Sequence, residues 1–159
     1  MFKPVQYNDS LKDSYTTLNK QLDALMSGER DMTANLANAS ALLNQFLDRV
    51  NWAGFYLYKE GELVLGPFHG LPACVRIPLG KGVCGTAAAE RKTIRVDDVH
   101  AFPGHIACDA ASRSEVVVPL LKEGELLGVL DIDSPEKNRF TEEETLYLEE
   151  FVDVLIRHL

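Results

Sequence analysis

The stretch 115-EVVVPLLKEGELLGVLDIDS-134 contains two apolar runs separated by the turn KEGE at residues 122–125. Valine, leucine and isoleucine dominate both runs, and the Gly-containing break is typical of a chain reversal, so the stretch predicts a β-hairpin. A second hairpin of the same kind is predicted at 52-WAGFYLYKEGELVLGPFHG-70, where residues 59–62 repeat the KEGE turn. Because hairpins pair their strands antiparallel, these two stretches predict an antiparallel sheet.

Helical periodicity precedes the two hairpins. Apolar residues recur every three or four positions in 10–26 and again in 36–50, which predicts two helices with core-facing stripes. Gly28 is expected to end the first helix, and Asp31 or Thr33 to cap the second. The stripes consist of Leu11, Tyr15, Leu18, Leu22 and Leu25 in the first helix, and of Leu36, Ala39, Leu43, Phe46, Leu47 and Val50 in the second.

Shorter elements are predicted between the hairpins and after them. Residues 82–92 predict a short helix, 93–98 a small strand and 99–114 an irregular loop. The sequence 141-TEEE-144 predicts a capping box, with Thr141 as cap and Glu144 at the third helical position. This order of elements predicts an α+β domain, in which a central antiparallel sheet has N- and C-terminal helices packed against it.

Composition excludes several functional classes. A chain of 159 residues with 46% hydrophobic residues fits one compact domain. Its net charge of −8, without a Lys/Arg cluster, argues against a nucleic-acid partner. No stretch approaches the ~20 apolar residues of a membrane-spanning helix. The N-terminus lacks the apolar core of a signal peptide, so we expect a cytoplasmic protein.

Three acidic residues of the second hairpin are candidates for a site. Asp131 and Asp133 are two apart in a strand, so their side chains share one face, and Glu115 opens the partner strand on which it can face them. Converging carboxyl groups suit a ligand ammonium group or can hold a proton for general acid catalysis. Alternatively, Asp133 belongs to a turn at 133–136 and Glu115 is a solvent-exposed strand start.

Two aromatic residues are placed in a similar way on the first hairpin. Trp52 and Tyr56 are four apart and therefore share a face of the strand. They can line a small-ligand pocket or pack in the core, and burial statistics favour the core.

The cysteines offer thiol chemistry. Cys108 lies in a polar loop beside His105 and Asp109, which is the setting of reactive thiols rather than of inert buried ones. Cys74 and Cys84 are candidate partners, although Cys84 can equally pack at a helix start. Because the count is odd and no CxxC pair occurs, a disulfide framework or a structural zinc site is not expected.

Four segments together resemble the free methionine-(R)-sulfoxide reductases, a family of stand-alone GAF domains. They are 51-NWAGFYLY-58, 66-GPFHGLPACVRIPLGKGVCG-85, 97-DDVHAFPGHIACDAASRSEVVVPL-120 and 129-VLDIDSPEKNRF-140. The resemblance covers about residues 30–155 and implies a single GAF domain over 1–159, with an N-terminal helical segment at 1–28 and a core at 30–157.

The resemblance also implies roles for the three cysteines. Cys108 would attack the sulfoxide sulfur of free methionine-(R)-sulfoxide and become a sulfenic acid, and methionine would leave. Cys74 would resolve the sulfenic acid as a disulfide for reduction by thioredoxin, with Cys84 as a secondary resolving thiol. Because a disulfide needs Cα atoms within about 7 Å, we expect one cysteine-bearing loop to move between the steps.

The remaining implied roles concern binding. Glu115, Asp131 and Asp133 would bind the substrate ammonium group or hydrogen-bond the sulfoxide oxygen, and Trp52 and Tyr56 would hold the S-methyl end. The family implies no cofactor and a role in protection and repair against oxidative damage. A monomer and a homodimer remain open, as do two alternatives to the enzyme: a ligand-binding sensor module and a thiol redox sensor without substrate.

Overall fold

The protein contains one six-stranded antiparallel sheet. A computed structural model describes residues 1–7, 10–106 and 108–159. Its strands are β1 (Trp52–Lys59), β2 (Glu62–Gly70), β3 (Arg76–Pro78), β4 (Ile94–Val96), β5 (Ser114–Lys122) and β6 (Glu125–Ser134). They are ordered β3-β2-β1-β6-β5-β4, and every neighbouring pair is antiparallel. Both predicted hairpins are confirmed as β1–β2 and β5–β6, whereas β3 was not predicted.

Four helices pack on the two faces of this sheet. They are α1 (Leu11–Met26), α2 (Met32–Phe46), α3 (Gly82–Glu90) and α4 (Glu142–Ile156). The side chains of α1, α2 and α4 share one apolar cluster with Phe55 and Ile132, and those of α3 share the other with Val117 and Val129. The α+β class is therefore confirmed. The sheet face covered by α1, α2 and α4 is mainly structural, and the sheet face covered by α3 carries the candidate site.

Local signals explain where the helices begin. Ser10 caps α1 by accepting a hydrogen bond from the Asp13 backbone N–H, and Asp31 caps α2 by accepting one from Ala34. Of the two caps considered for the second helix, Asp31 is therefore the one used. Thr141 likewise accepts from the Glu144 backbone N–H, as the capping motif predicts.

Two sequence expectations need correction. Leu11, assigned to the buried stripe of the first helix, is exposed because it is the first residue of α1. The predicted irregular loop 99–114 contains a 3-10 turn at Val99–Ala101, and its residue 107 lies outside the described residues. Glu144 also has a role that was not predicted: its side chain accepts a hydrogen bond from the Tyr15 hydroxyl of α1 and another from the Arg139 guanidinium.

The helices are too short or too polar to cross a bilayer. Within the part of the chain that the structure describes, no helix has the length and apolar content that a membrane span requires.

Candidate active site

The central strands bring the predicted acidic and aromatic residues to one face of the sheet. Glu115 lies opposite Asp133 in the β5–β6 pairing, and Trp52 lies opposite Asp133 in the β1–β6 pairing. Asp131 and Tyr56 are two and four residues away along their strands and point to the same face. Two segments that are distant in sequence, strand β1 and the β5–β6 hairpin, therefore meet beneath α3.

The three carboxyl groups form a buried cluster. Glu115 is 7% exposed and Asp131 is 6% exposed. Burial, together with the neighbouring Asp131 carboxylate, raises the pKa of Glu115 and of Asp133 well above the ordinary range, and burial also raises the pKa of Asp131. The cluster therefore keeps protons to a higher pH than isolated carboxyl groups do.

Two oxygens of this cluster have no hydrogen-bond partner. The Oδ1 atoms of Asp131 and Asp133 are buried, and no described residue donates to either of them. Buried polar atoms are almost always satisfied in folded proteins, so unsatisfied oxygens that line a pocket indicate a place for a ligand donor. Asp133 Oδ2, in contrast, accepts a hydrogen bond from the Ser112 hydroxyl at 2.9 Å.

The two predicted aromatic residues belong to the apolar core and also line the pocket. Trp52 and Tyr56 are each 2% exposed, and their rings stack with centroids 5.8 Å apart. Phe68 stacks on the Trp52 indole at 5.1 Å, a contact that the sequence analysis missed. The Tyr56 hydroxyl donates to the backbone carbonyl of Cys74 at 2.9 Å, and this bond ties the aromatic pair to the cysteine loop.

Two of the three cysteines are joined. Cys74 and Cys108 form a disulfide with their Cα atoms 5.5 Å apart, although 34 positions separate them in sequence. Cys84 is the free cysteine and is buried in the first turn of α3. Burial and the nearby Asp131 raise the pKa of the Cys84 thiol well above its ordinary value.

The loop before β5 fixes one side of the acidic cluster. The Asn51 amide donates to Asp109 Oδ2 at 2.9 Å and to the Ser112 hydroxyl at 3.1 Å, and Ser112 in turn donates to Asp133. The pKa of His105, which also lines the pocket, is lowered by burial. Ser112 was missed as a site residue because a lone serine in a polar loop gives no distinguishing signal.

Seven of the eight predicted site residues line one pocket, whose empty space, open solvent included, is about 480 Å³. They are Trp52, Tyr56, Cys84, Cys108, Glu115, Asp131 and Asp133. The eighth, Cys74, does not line the pocket itself but is bonded to Cys108, which does. Residues that line the pocket and were not predicted as site residues are Ala73, Ile77, Lys81, Gly82, Val83, His105, Ile106, Asp109 and Ser112.

Comparison with known proteins assigns the family. The GAF domain family matches residues 31–159. The chain is 60% identical to Protein YtsP of Bacillus subtilis, over 97% of this chain and 95% of that protein. It is 56% identical to the free methionine-R-sulfoxide reductase of Escherichia coli, over 87% of this chain and 84% of that protein. The chain belongs to the free methionine-R-sulfoxide reductase family of GAF domains.

A solved structure of the same reductase family supports this membership. The free methionine-R-sulfoxide reductase of Neisseria meningitidis, in complex with its substrate, superposes with a TM-score of 0.92. It is 43% identical and covers 99% of this chain and 95% of that one. The expected family resemblance and GAF fold are thus confirmed.

The pocket of this free methionine-R-sulfoxide reductase family member combines three chemical capacities. Two cysteines that form a disulfide can transfer two electrons, the carboxyl cluster can donate a proton or bind a cation, and the indole and phenol rings can hold an apolar group. The cluster can also accept a metal, because the Cys84 Sγ and carboxylate oxygens of Glu115 and Asp131 lie within 4.8 Å of one another.

Proposed function

We propose that this protein reduces free L-methionine-(R)-S-oxide to L-methionine with its own cysteine thiols. The observation that carries the proposal is the Cys74–Cys108 disulfide beside a pocket lined by three buried carboxyl groups. The reductase family of the chain agrees with this chemistry. We infer the preference for the R form and for the free amino acid from the relatives, which are free methionine-R-sulfoxide reductases.

In the first step the Cys108 thiolate attacks the sulfoxide sulfur. The sulfoxide oxygen is protonated and passes to Cys108, so that methionine and a Cys108 sulfenic acid are the products. In the second step the Cys74 thiol attacks the sulfenic sulfur, the new S–S bond forms and water leaves. The two electrons gained by methionine therefore come from the two thiols, and the disulfide that remains is the one this structure contains.

The carboxyl cluster supplies the proton for the first step. Burial raises the pKa values of Glu115, Asp131 and Asp133, and the Asp131 carboxylate raises those of Glu115 and Asp133 further, so at least one of the three groups remains protonated at a pH where isolated carboxyl groups are ionised. A protonated carboxyl group can hydrogen-bond the sulfoxide oxygen and neutralise it as the S–O bond weakens.

The same cluster explains selection of the free amino acid. An ionised carboxylate with an unpartnered oxygen, as at Asp131, gains a salt bridge from the substrate ammonium group. In a peptide the methionine nitrogen is an uncharged amide, so the buried carboxylate would lose its cation. A site that leaves a buried polar group unpaired rejects such a substrate strongly.

The substrate carboxylate fits the beginning of α3. Lys81 and Gly82 line the pocket there, and no side chain among the residues that the structure describes caps the first turn of the helix. Free backbone N–H groups and the positive end of the helix dipole bind anions, and the Lys81 ammonium group adds charge. At the opposite wall, Trp52 and Tyr56 would contact the S-methyl group.

Cys84 is the secondary resolving thiol in this mechanism. Its thiol is buried and its raised pKa disfavours the thiolate, so we assign the first resolving step to Cys74 and keep Cys84 as an alternative. Thioredoxin, as a dithiol reductant, would restore the thiols. The activity would serve protection against oxidative damage in the cytoplasm.

A single-turnover experiment tests the proposal. Reduced protein is mixed with free L-methionine-(R)-S-oxide in the absence of a reductant, and released methionine and remaining thiols are counted. We expect about one methionine per chain and two thiols lost. Cys108→Ser should release none. Cys74→Ser should release about one methionine and hold a sulfenic acid that a dimedone-type reagent traps.

The outcomes separate the alternatives. If the wild-type protein binds methionine sulfoxide and releases no methionine, the chain is a binding module and the enzyme proposal is wrong. If Cys108→Ser retains full turnover while Cys84→Ser loses it, Cys84 is the nucleophile and the assigned order is wrong. Two thiols lost in Cys74→Ser would make Cys84 a competent resolving thiol.

A further inference from the structure

A second class of ligand fits the acidic end of the pocket. We propose that Cys84, Glu115 and Asp131 bind a thiophilic divalent cation such as Zn²⁺, and that the bound cation keeps the substrate ammonium group out. The binding site stands on the structure alone, whereas the exclusion of substrate rests on the proposed function.

The spacing of the three side chains suits a single ion. The Cys84 Sγ and one carboxylate oxygen each from Glu115 and Asp131 all lie within 4.8 Å of one another. Around tetrahedral zinc, with bonds of about 2.0–2.3 Å, neighbouring ligand atoms are about 3.5 Å apart. Small side-chain rotations therefore bring the three atoms onto one ion, and water can complete the coordination.

An independent observation is that the acidic cluster contains buried oxygens without hydrogen-bond partners. Asp131 is 6% exposed, it lines the cavity, and its Oδ1 has no hydrogen-bond partner among the described residues. Oδ1 of the neighbouring Asp133 is also buried without a hydrogen-bond partner among the described residues. No cationic side chain forms an ion pair with Glu115, Asp131 or Asp133 in the described part of the chain. A bound cation would satisfy these oxygens and offset their repulsion.

The sulfur ligand decides which cations are favoured. Ca²⁺ and Mg²⁺ prefer sites made of oxygen alone and gain little from a thiol. A cysteine sulfur beside two carboxylates instead favours Zn²⁺, whose binding would release the Cys84 proton. Because the same Glu115 and Asp131 oxygens are assigned to the substrate ammonium group, the ion and the substrate compete.

Cobalt provides a direct probe of the Cys84 ligand. The chain has three cysteines, so in the oxidised protein, with Cys74 bonded to Cys108, Cys84 is the one thiol left to bind metal. Titration with Co²⁺ should produce a near-ultraviolet thiolate-to-cobalt absorption band that Zn²⁺ abolishes. Cys84→Ser should lose the band and bind Zn²⁺ at least about tenfold more weakly.

Matched variants separate this site from others. His158 pairs with Asp23 at 2.8 Å on the surface and is a potential adventitious metal site, so His158→Gln should leave the cobalt band unchanged. Asp131→Asn should weaken Zn²⁺ binding even if Cys84→Ser unfolds. A wild-type protein without the band, or a folded Cys84→Ser protein that retains it, overturns the proposal.

The competition is measured in a protein that cannot turn over. In the double variant Cys74→Ser/Cys108→Ser, Cys84 is the remaining thiol, and added free methionine sulfoxide should raise the apparent dissociation constant for Co²⁺ in proportion to its concentration. A band that is insensitive to methionine sulfoxide supports the metal site and overturns the exclusion. The single-turnover experiment, which contains no metal, tests the reductase separately.

Discussion

Replacement of Glu115 by glutamine tests the electrostatic basis of the site. Burial and the Asp131 carboxylate raise the folded-state pKa of Glu115 well above its ordinary value of 4.5. The folded protein therefore binds a proton that the unfolded chain has already released, and the free energy of unfolding falls as pH rises between the two pKa values. Glutamine resembles the protonated acid and removes this contribution.

The size of the effect follows from proton linkage. One extra proton bound by the folded state changes the free energy of unfolding by about 1.4 kcal/mol per pH unit. Below the ordinary pKa of 4.5 both forms are neutral, so the wild-type protein and Glu115→Gln should have similar stability there. At higher pH the variant becomes progressively more stable than the wild type, by up to about 1.4 kcal/mol per pH unit until the folded-state pKa is passed.

Urea unfolding of the oxidised protein at several values between about pH 4 and pH 8 measures this difference. Glu125→Gln is the matched control, because it makes the same chemical change at an exposed position of the same hairpin. Its pH dependence should follow that of the wild type. If Glu115→Gln also follows the wild type, Glu115 titrates normally and is not the member of the cluster that holds the proton.

Three further predictions concern packing and specificity. Glu144→Gln removes the 2.7 Å carboxylate partner of the buried Arg139 guanidinium, which keeps its 3.0 Å pairing with exposed Asp48, and should cost about 2 kcal/mol in urea unfolding. Exposed Glu142→Gln should cost under about 1 kcal/mol, and equal losses would contradict the buried pair. Gly54→Ala would place a Cβ 2.2 Å from Phe68 Cβ and should destabilise the β1–β2 pairing by at least about 2 kcal/mol; a loss below about 0.5 kcal/mol would show that the strands can separate freely. N-acetylation of the substrate should lower kcat/KM at least about 100-fold in steady-state assays, and an unchanged value would exclude an ammonium-binding role for the acidic cluster.

The hairpins were predictable because their signal is local. The run of consecutive valines in β5 and the repeated KEGE turns, which contain Gly61 and Gly124, define strand pairs without reference to the rest of the chain. Strand β3 has three residues, too few for a periodicity, and its pairing with β2 depends on the completed sheet. It was therefore not predictable from local pattern.

The candidate site was partly predictable for a related reason. The sequence placed Glu115 on the partner strand of Asp131 and Asp133, but its pairing with Asp133 depends on a register shift between Leu120 and Leu121. The register at the turn alone would place Ile132, which faces the other side of the sheet, opposite Glu115. The hydrogen bond from Ser112 to Asp133 depends on how an irregular loop folds. The stacking of Phe68 on Trp52 depends on how the neighbouring strands β2 and β1 pair. Glu144 was predicted only as part of a capping box. Its hydrogen bond with Tyr15 gives no local sequence signal, because the two residues are 129 positions apart.

The hydrogen bonds around the disulfide bear on the loop movement that we expect from the proposed mechanism. The Cys74 carbonyl accepts a hydrogen bond from the Tyr56 hydroxyl, and Ser112, on the loop that carries Cys108, donates to Asp133. In the disulfide form both cysteine segments are thus bonded to residues to which the proposal assigns substrate contacts. Under the proposed mechanism, substrate reaches the carboxyl groups before Cys108 is oxidised, and Cys74 meets Cys108 afterwards. We therefore expect these hydrogen bonds to be exchanged for bonds to the substrate during each reaction cycle.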